Sequence, residues 1–137
     1  MNVLNAAIYS KLQSTSAITN LLAGTVSIYH MQAPENAEYP YIVYSQQAGG
    51  DENLSQHRVK NTVRFIRAYA TGSQGAALAG SIDAQVDAAL HLSPLTVSGW
   101  TNLWLARETD LEGVENTPSG QQVHMAGGFY RLLVEKE

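Results

Sequence analysis

Cysteine is missing from the sequence altogether. Its absence excludes disulfide frameworks, thiolate-ligated zinc and thiol catalysis together, and it suits a reducing compartment. Long apolar runs are missing too, since none approaches the roughly 20 residues needed to span a bilayer. The opening MNVLNAAIYSKLQ places its only basic residue, Lys11, behind the apolar ones. A secretory leader wants positive charge first, so the expectation is a soluble protein that stays where it is made, with no membrane partner. Positive charge is scarce, with eight Lys and Arg against twelve Asp and Glu and a net charge of −4. Tight binding to duplex DNA by phosphate neutralisation calls for a strong basic excess, which disfavours that function. Arg58, Lys60, Arg64 and Arg67 nevertheless gather in one short segment and keep a local basic patch open.

The 137 residues fit one domain spanning residues 1–137, without repeats or low-complexity segments. A chain of this size buries roughly two thirds of its unfolded surface and needs no covalent staples. Val3, Leu4, Ala7, Ile8 and Leu12 recur at helical spacing, with Asn2 as N-cap. A shorter helical piece follows, in which Ser16 caps Ala17 to Leu22 and Gly24 stops it. The two pieces read as a helical hairpin or one broken helix. Val26 to Tyr29 is a short strand, and Ala33-Pro34-Glu35-Asn36 a loop. Tyr39-Pro40-Tyr41-Ile42-Val43-Tyr44 is dense in aromatic and β-branched residues, with Pro40 at the strand's start or on an edge.

The strand from about Arg58 to Ala70 alternates. Val59, Val63, Phe65 and Tyr69 share an apolar face, where Arg67 is the exception, while Arg58, Lys60, Thr62 and Arg64 share the other. Gly72 breaks it and Ser73 caps a helix whose stripe is Ala79, Ile82, Val86, Ala89 and Leu90, with Asp83 and Asp87 off the stripe. Pro94 opens an extended segment that turns at Ser98-Gly99 into a strand from Trp100 to Thr109. Gln122 to Val134 closes the chain as a strand with a bulge expected at Gly127-Gly128. Two polar stretches, Gly49 to Gln56 and Asp110 to Gln121, read as exposed loops. The order predicts an α+β fold, a mostly antiparallel β-sheet with N-terminal helices and one central amphipathic helix packed on one face.

Chemistry-bearing patterns are sparse. His30, His57, His91 and His124 are scattered without metal-ligand spacing, and His91 at a helix end suits the helix dipole. No Gly-x-Ser-x-Gly elbow or Ser-x-x-Lys motif occurs, and Gly72-Ser73-Gln74-Gly75 lacks the Lys-Ser/Thr ending of a phosphate loop. No catalytic residue, metal ligand or cofactor site is therefore assigned. The carboxylates Asp51-Glu52 and Asp110 with Glu112 sit in the polar loops without the oxygen spacing of a calcium site. Asp83 and Asp87 lie four apart without a basic partner on their own helix, which makes them either a solvated face or a surface kept negative against a passing polyanion. Arg58, Lys60 and Arg64 either coat a half-exposed sheet or meet an acidic partner or phosphate backbone.

An ordered set of features resembles the tail-completion, or tail-terminator, family of long-tailed bacteriophages and related prophages. The set runs through Ala7-Ile8-Tyr9 with Leu12, Ile28-Tyr29, Ala33-Pro34 and the aromatic-proline strand 39–44. It continues with Arg64-Phe65-Ile66-Arg67-Ala68-Tyr69, a helix with Ile82, Val86 and Leu90, and a closing strand from Gly128 to Val134. At Gly72 to Gly75 this chain departs from the aromatic and acidic residues the family often carries there.

The resemblance implies a virion protein assembled in the host cytoplasm, a homo-hexameric ring on the head-proximal end of the tail tube. Its partners would be the tail tube protein and a neck or head-completion protein, with DNA passing through the lumen without specific binding. Tube growth rests on heterologous, non-closing contacts, so a terminator must match one side and refuse further tube protein on the other. The interaction residues expected from the polar stretches are Gly49, Gly50, Asp51, Glu52, Asn53 and Leu54, then Asp110, Leu111, Glu112, Gly113, Val114 and Glu115. Asp83, Asp87, Arg58, Lys60 and Arg64 are the charges expected to face a lumen or a partner. Two alternatives stay open, a head-side stopper or adaptor ring of the same neck and a small ligand-binding or enzymatic α+β domain.

Overall fold

A computed structural model describes residues 1–24, 27–54 and 56–137. Helix α1 spans Asn2–Ser14 and α2 Ser16–Thr19, with Thr15 in extended backbone between them, so the opening is one broken helix. Strand β1 is Ile28–His30, β2 Tyr41–Leu54, β3 His57–Thr71, helix α3 Gly75–Leu90, β4 Trp100–Asn116 and β5 Gln122–Lys136. The strands form one sheet in the order β1-β2-β3-β5-β4, antiparallel except where β1 runs parallel to β2. The α+β fold expected from the sequence is the one observed. No described helix is long and apolar enough to cross a membrane.

All three helices pack on one face of the sheet. Leu4, Ile8 and Leu12 of α1, Ile18 of α2, and Ile82, Val86 and Leu90 of α3 meet Ile42, Tyr44, Ile66, Ala68, Tyr130, Leu132 and Val134 in a single core. Where α3 crosses closest, the contact is small against small, Ala79 on Ala70 and Ala126. The predicted stripe of α3 is thus buried, with Ala89 only partly so.

Several local expectations shift. Met1, not Asn2, occupies the N-cap of α1, Thr15 precedes α2, and Gln74 rather than Ser73 precedes α3, none with a side-chain cap. The second helix ends at Thr19, well before Gly24. The expected strand start at Val26 lies outside the described residues.

The irregularity expected at Gly127-Gly128 is absent, because both glycines pair in register with β3 and β4. The register shifts fall in β2, between Gln46 and Ala48, and in β4, between Asn102 and Trp104 and between Arg107 and Thr109. The glycines serve close approach instead. A Cβ at Gly127 would lie 2.5 Å from the Ile66 carbonyl oxygen, and one at Gly128 would lie 2.7 Å from the Arg107 guanidinium.

The two polar stretches are not loops. Residues 49–54 continue β2 and pair with β3, and 110–116 continue β4 and pair with β5. Only residues 117–121 form the β4–β5 turn, with Gly120 at φ 84 and the Thr117 amide donating to the Gln121 carbonyl. Ser55, within the first of these stretches, lies outside the described residues. The faces of β3 are also the reverse of the sequence expectation. Thr62, Arg64, Ile66, Ala68 and Ala70 lie buried beneath the helices, while Val63, Phe65, Arg67 and Tyr69 face the other way and are half-buried.

Candidate functional site

Two hairpins carry the strand ends named from the sequence, and they project from opposite ends of the sheet. Val59 pairs with Glu135 near one end and Thr71 with Val123 near the other, so the β2–β3 tip lies beside the end of β5 and the β4–β5 tip beside the end of β3. Residues 46–53 and 112–116 are exposed throughout. At the first tip Asp51 accepts from Lys60 Nζ at 2.6 Å and from Arg58 Nη2 at 3.0 Å. Hydrogen bonding from Lys60, joined by Arg58, holds the Asp51 carboxyl below the usual carboxylate range. Asn61 donates to Glu52 at 2.7 Å, and His57 contacts Glu135 at 2.6 Å.

Beside the second hairpin, Asp83, Asp87, Asp110 and Glu112, all named from the sequence, gather around Arg107, which the sequence reading did not single out. Arg107 of β4 donates to both carboxylate oxygens of Asp83 on α3, at 2.7 and 2.8 Å. It also donates to Asp110 at 2.6 Å, the Gly127 carbonyl at 2.8 Å and the Tyr130 hydroxyl at 3.1 Å. Burial alone would lower the guanidinium's pKa, but these partners, Asp83 foremost, raise it above its usual value. Burial pushes the Tyr130 hydroxyl up, against the opposing pull of Arg107. Asp83 therefore has a basic partner across the α3–β4 packing, which corrects the reading of an unpartnered acid. Asp87, one turn on, has a carboxylate oxygen buried without a hydrogen-bond partner among the described residues. Asp83, Asp87, Arg107, Asp110 and Glu112 line a cleft of about 240 Å³ between α3 and β4. With both Asp83 oxygens committed to Arg107, that carboxylate is held in a charged seam between α3 and β4.

The sheet face turned away from the helices is aromatic. Phe65 and Phe129 pair at 4.9 Å between centroids, and the Arg67 guanidinium sits 4.3 Å over Phe65 while donating to the Tyr69 hydroxyl and to Ser45. Tyr41 stacks on Tyr39 at 5.0 Å and meets Tyr69 at 5.4 Å. Burial, then the hydrogen bond with Tyr39, raises the Tyr41 hydroxyl's pKa.

Arg64 is the largest correction among the predicted charges. Arg58, Lys60 and Arg64 do share one face, but it is the helix-covered one, and Arg64 is only 1% exposed. Its Nη1 donates to Asn5 of α1 at 2.6 Å and its Nε to Thr62 at 3.4 Å, while Nη2 has no partner among the described residues. Burial lowers its pKa to about 10. The sequence signal was present, since Ile66, Ala68 and Ala70 continue the Arg64 face as apolar residues.

The histidines lie on separate elements or at their ends. His91 sits at the C-cap of α3, where its Nδ1 accepts from the Arg107 amide at 3.0 Å, and His30 packs against Tyr44. Among the described residues no three His, Cys, Asp or Glu side chains are grouped to hold a metal.

Comparison with known proteins gives the architecture a family. The family described as tail completion protein gp17 matches residues 6–123. Among solved structures, a chain of the virion of a native gene transfer agent particle has the same fold. It gives a TM-score of 0.78 at 18% identity and covers 96% of this chain and 94% of that one. A second solved structure superposes with a TM-score of 0.60 at 13% identity over 96% of this chain and 94% of its own. No curated protein matches the sequence. The chain belongs to the gp17 tail completion family and is a structural protein of bacteriophage tails.

Proposed function

We propose that the protein is one subunit of a hexameric ring that caps the head-proximal end of the tail tube. The ring stops tube polymerisation and offers the surface to which a neck or head-completion protein joins, and DNA passes through its lumen without specific binding. It works in the virion, after assembly in the host cytoplasm, by docking and not by catalysis. The match to a tail completion family over residues 6–123 carries this reading. Two features of the fold support it. Strand-built hairpins project from opposite ends of the sheet, suited to contacts with neighbours on two sides, and a half-buried aromatic face is left uncovered by any described helix.

Deleting the protein from its phage tests the proposal. Electron micrographs should show overlong or headless tails beside filled heads. Tails of normal length attached to heads would refute it, and leaking heads with normal tails would assign the protein to a head-side stopper ring instead.

A further inference from the structure

The helix-covered side of the sheet is electrically polarised from end to end. At the β2–β3 end, α1's N-terminal turn lies over Lys60 and Arg64. The Met1 amino group has its pKa lowered by burial and then by those two cations, which places all three close together. Arg58 stands beside them, 48% exposed and sharing Asp51 with Lys60. Lys60, Arg64 and Arg58 thus face one carboxylate, Asp51, and α1's first turn contributes no acid and no side-chain cap. The positive end of the helix dipole adds to the excess. Glu52 and Glu135, also near this tip and both paired with Val59, belong to the opposite face, where Glu52 accepts from Asn61 and Glu135 contacts His57. Arg64 strengthens the field because a buried charge is little screened by salt, and no described carboxylate neutralises it.

At the β4–β5 end the imbalance has the other sign. Asp83, Asp87, Asp110 and Glu112 line the cleft beside α3, and Arg107 is the one cation among them. Asp87 keeps one buried oxygen without a partner among the described residues, and Asp110 is 84% exposed. Three negative side-chain charges in excess at one end thus oppose two positive in excess at the other, on the same side of the same sheet.

The geometry points to a head-to-tail contact between two copies of this chain, in which the Arg58–Lys60–α1 corner of one receives the Asp110–Glu112 seam of the next. Two different patches in contact make the interface heterologous, the kind that closes into a ring when the rotation allows. The assignment rests on the ring reading above and adds the surfaces that join neighbouring subunits. Electrostatic matching of this kind acts chiefly on encounter rate and on register, so salt weakens it.

Charge reversal tests the pairing. Arg58→Glu and Glu112→Lys each place like charges in contact and should weaken self-association of the full-length protein roughly tenfold in low salt, read by sedimentation. The two single variants mixed in equal amounts should recover association, because each corner then meets a complementary seam. Native mass spectrometry should find equal numbers of the two variants in the mixed complexes. Recovery also shows that each variant is folded.

The pairing is refuted if the single variants associate as well as wild type, or if the mixture recovers nothing while both give a folded circular dichroism spectrum. Wild type that stays monomeric in low salt at its highest soluble concentration also refutes it. Tail lengths in the deletion phage separate the outcomes. Overlong tails with an insensitive interface remove only the pairing, whereas normal tails remove the ring reading as well.

Discussion

Replacing Arg107 by alanine removes one side chain and leaves three acceptors stranded. Asp83, with 18% of its side chain exposed, loses both charge-assisted bonds, and the fully buried Tyr130 hydroxyl and the Gly127 carbonyl lose their donor. Breaking a buried pair on one side costs about 3–5 kcal/mol, because the remaining charge is left uncompensated. The partial exposure of Asp83 lets water restore some of that, and the Asp110 bond adds little, since Asp110 is 84% exposed. The expected loss is about 3–4 kcal/mol.

Unfolding entropy near 2.1 cal/mol/K per residue makes 1 kcal/mol worth about 3.5 °C for a chain of 137 residues. Tm should therefore fall by roughly 10–14 °C. Asp83→Asn keeps the shape and leaves the guanidinium its bonds to Gly127, Tyr130 and Asp110, so its cost should be smaller, about 1.5–2 kcal/mol. Urea unfolding followed by circular dichroism, at a concentration and salt that keep every variant in one oligomeric state, reads both values. A loss under about 1 kcal/mol for Arg107→Ala would show that the seam does not anchor β4 to α3.

Two further substitutions probe the sheet. Gly127→Ala drives a Cβ to 2.5 Å from the Ile66 carbonyl oxygen and 2.7 Å from Arg67 Cα, so β3 and β5 must part, at about 3 kcal/mol. Gly80→Ala, in α3 with open space around its Cβ, should instead gain about 0.5–1 kcal/mol, and urea midpoints that failed to separate the pair would contradict the packing described. Arg64→Met should stabilise the free subunit by about 1 kcal/mol, because a buried cation held only by neutral acceptors gives way to an apolar chain of similar length. The folded pKa of Arg64, about 10, lies below its ordinary value, so the charged form opposes folding. That opposition is full below pH 10 and relieved above it, and the gap between variant and wild type should shrink as pH rises past 10. A gap that widened there would refute the assignment.

The sequence made the elements legible wherever burial imposes a period. The α3 stripe of Ala79, Ile82, Val86 and Leu90 and the strand of Tyr41 to Tyr44 could be read directly, because one face of each is fixed in the core. The faces of β3 were harder. Its aromatic residues Phe65 and Tyr69 drew the core to the wrong side, whereas the side beneath the helices carries small residues, Ala68 and Ala70, against Ala79 and Ala126. Hydrophobicity alone does not distinguish a face that a helix covers from one that half-covers itself with rings. Size does, since a helix axis approaches closely only over small side chains. The ends of β2 and β4 left no period because both of their faces meet solvent, so Gly49-Gly50 and Asp110 to Asn116 looked like loop. Arg107 escaped notice because its partner is 24 positions away on another element. The hint was on α3, where Asp83 and Asp87 stand four apart with no cation of their own helix to answer them.

These unburied strand ends bear on what kind of protein this is. Fixing each residue of an exposed strand costs about 1–2 kcal/mol of backbone entropy, and ladder hydrogen bonds that replace bonds to water return only part of it. Residues 46–53 and 112–116 bury no core to make up the difference. A catalyst needing only a rigid scaffold would gain stability by trimming both hairpins and by exchanging Phe65, Phe129 and the Tyr39–Tyr41 stack for polar residues. The same features are economical in a subunit whose neighbours complete its ladders and cover its rings, because the burial missing from the isolated chain is supplied on assembly. Amide exchange separates the two cases, with slow exchange along 49–54 and 110–116 confined to the assembled form if neighbours complete the strands and equal in both forms if they do not.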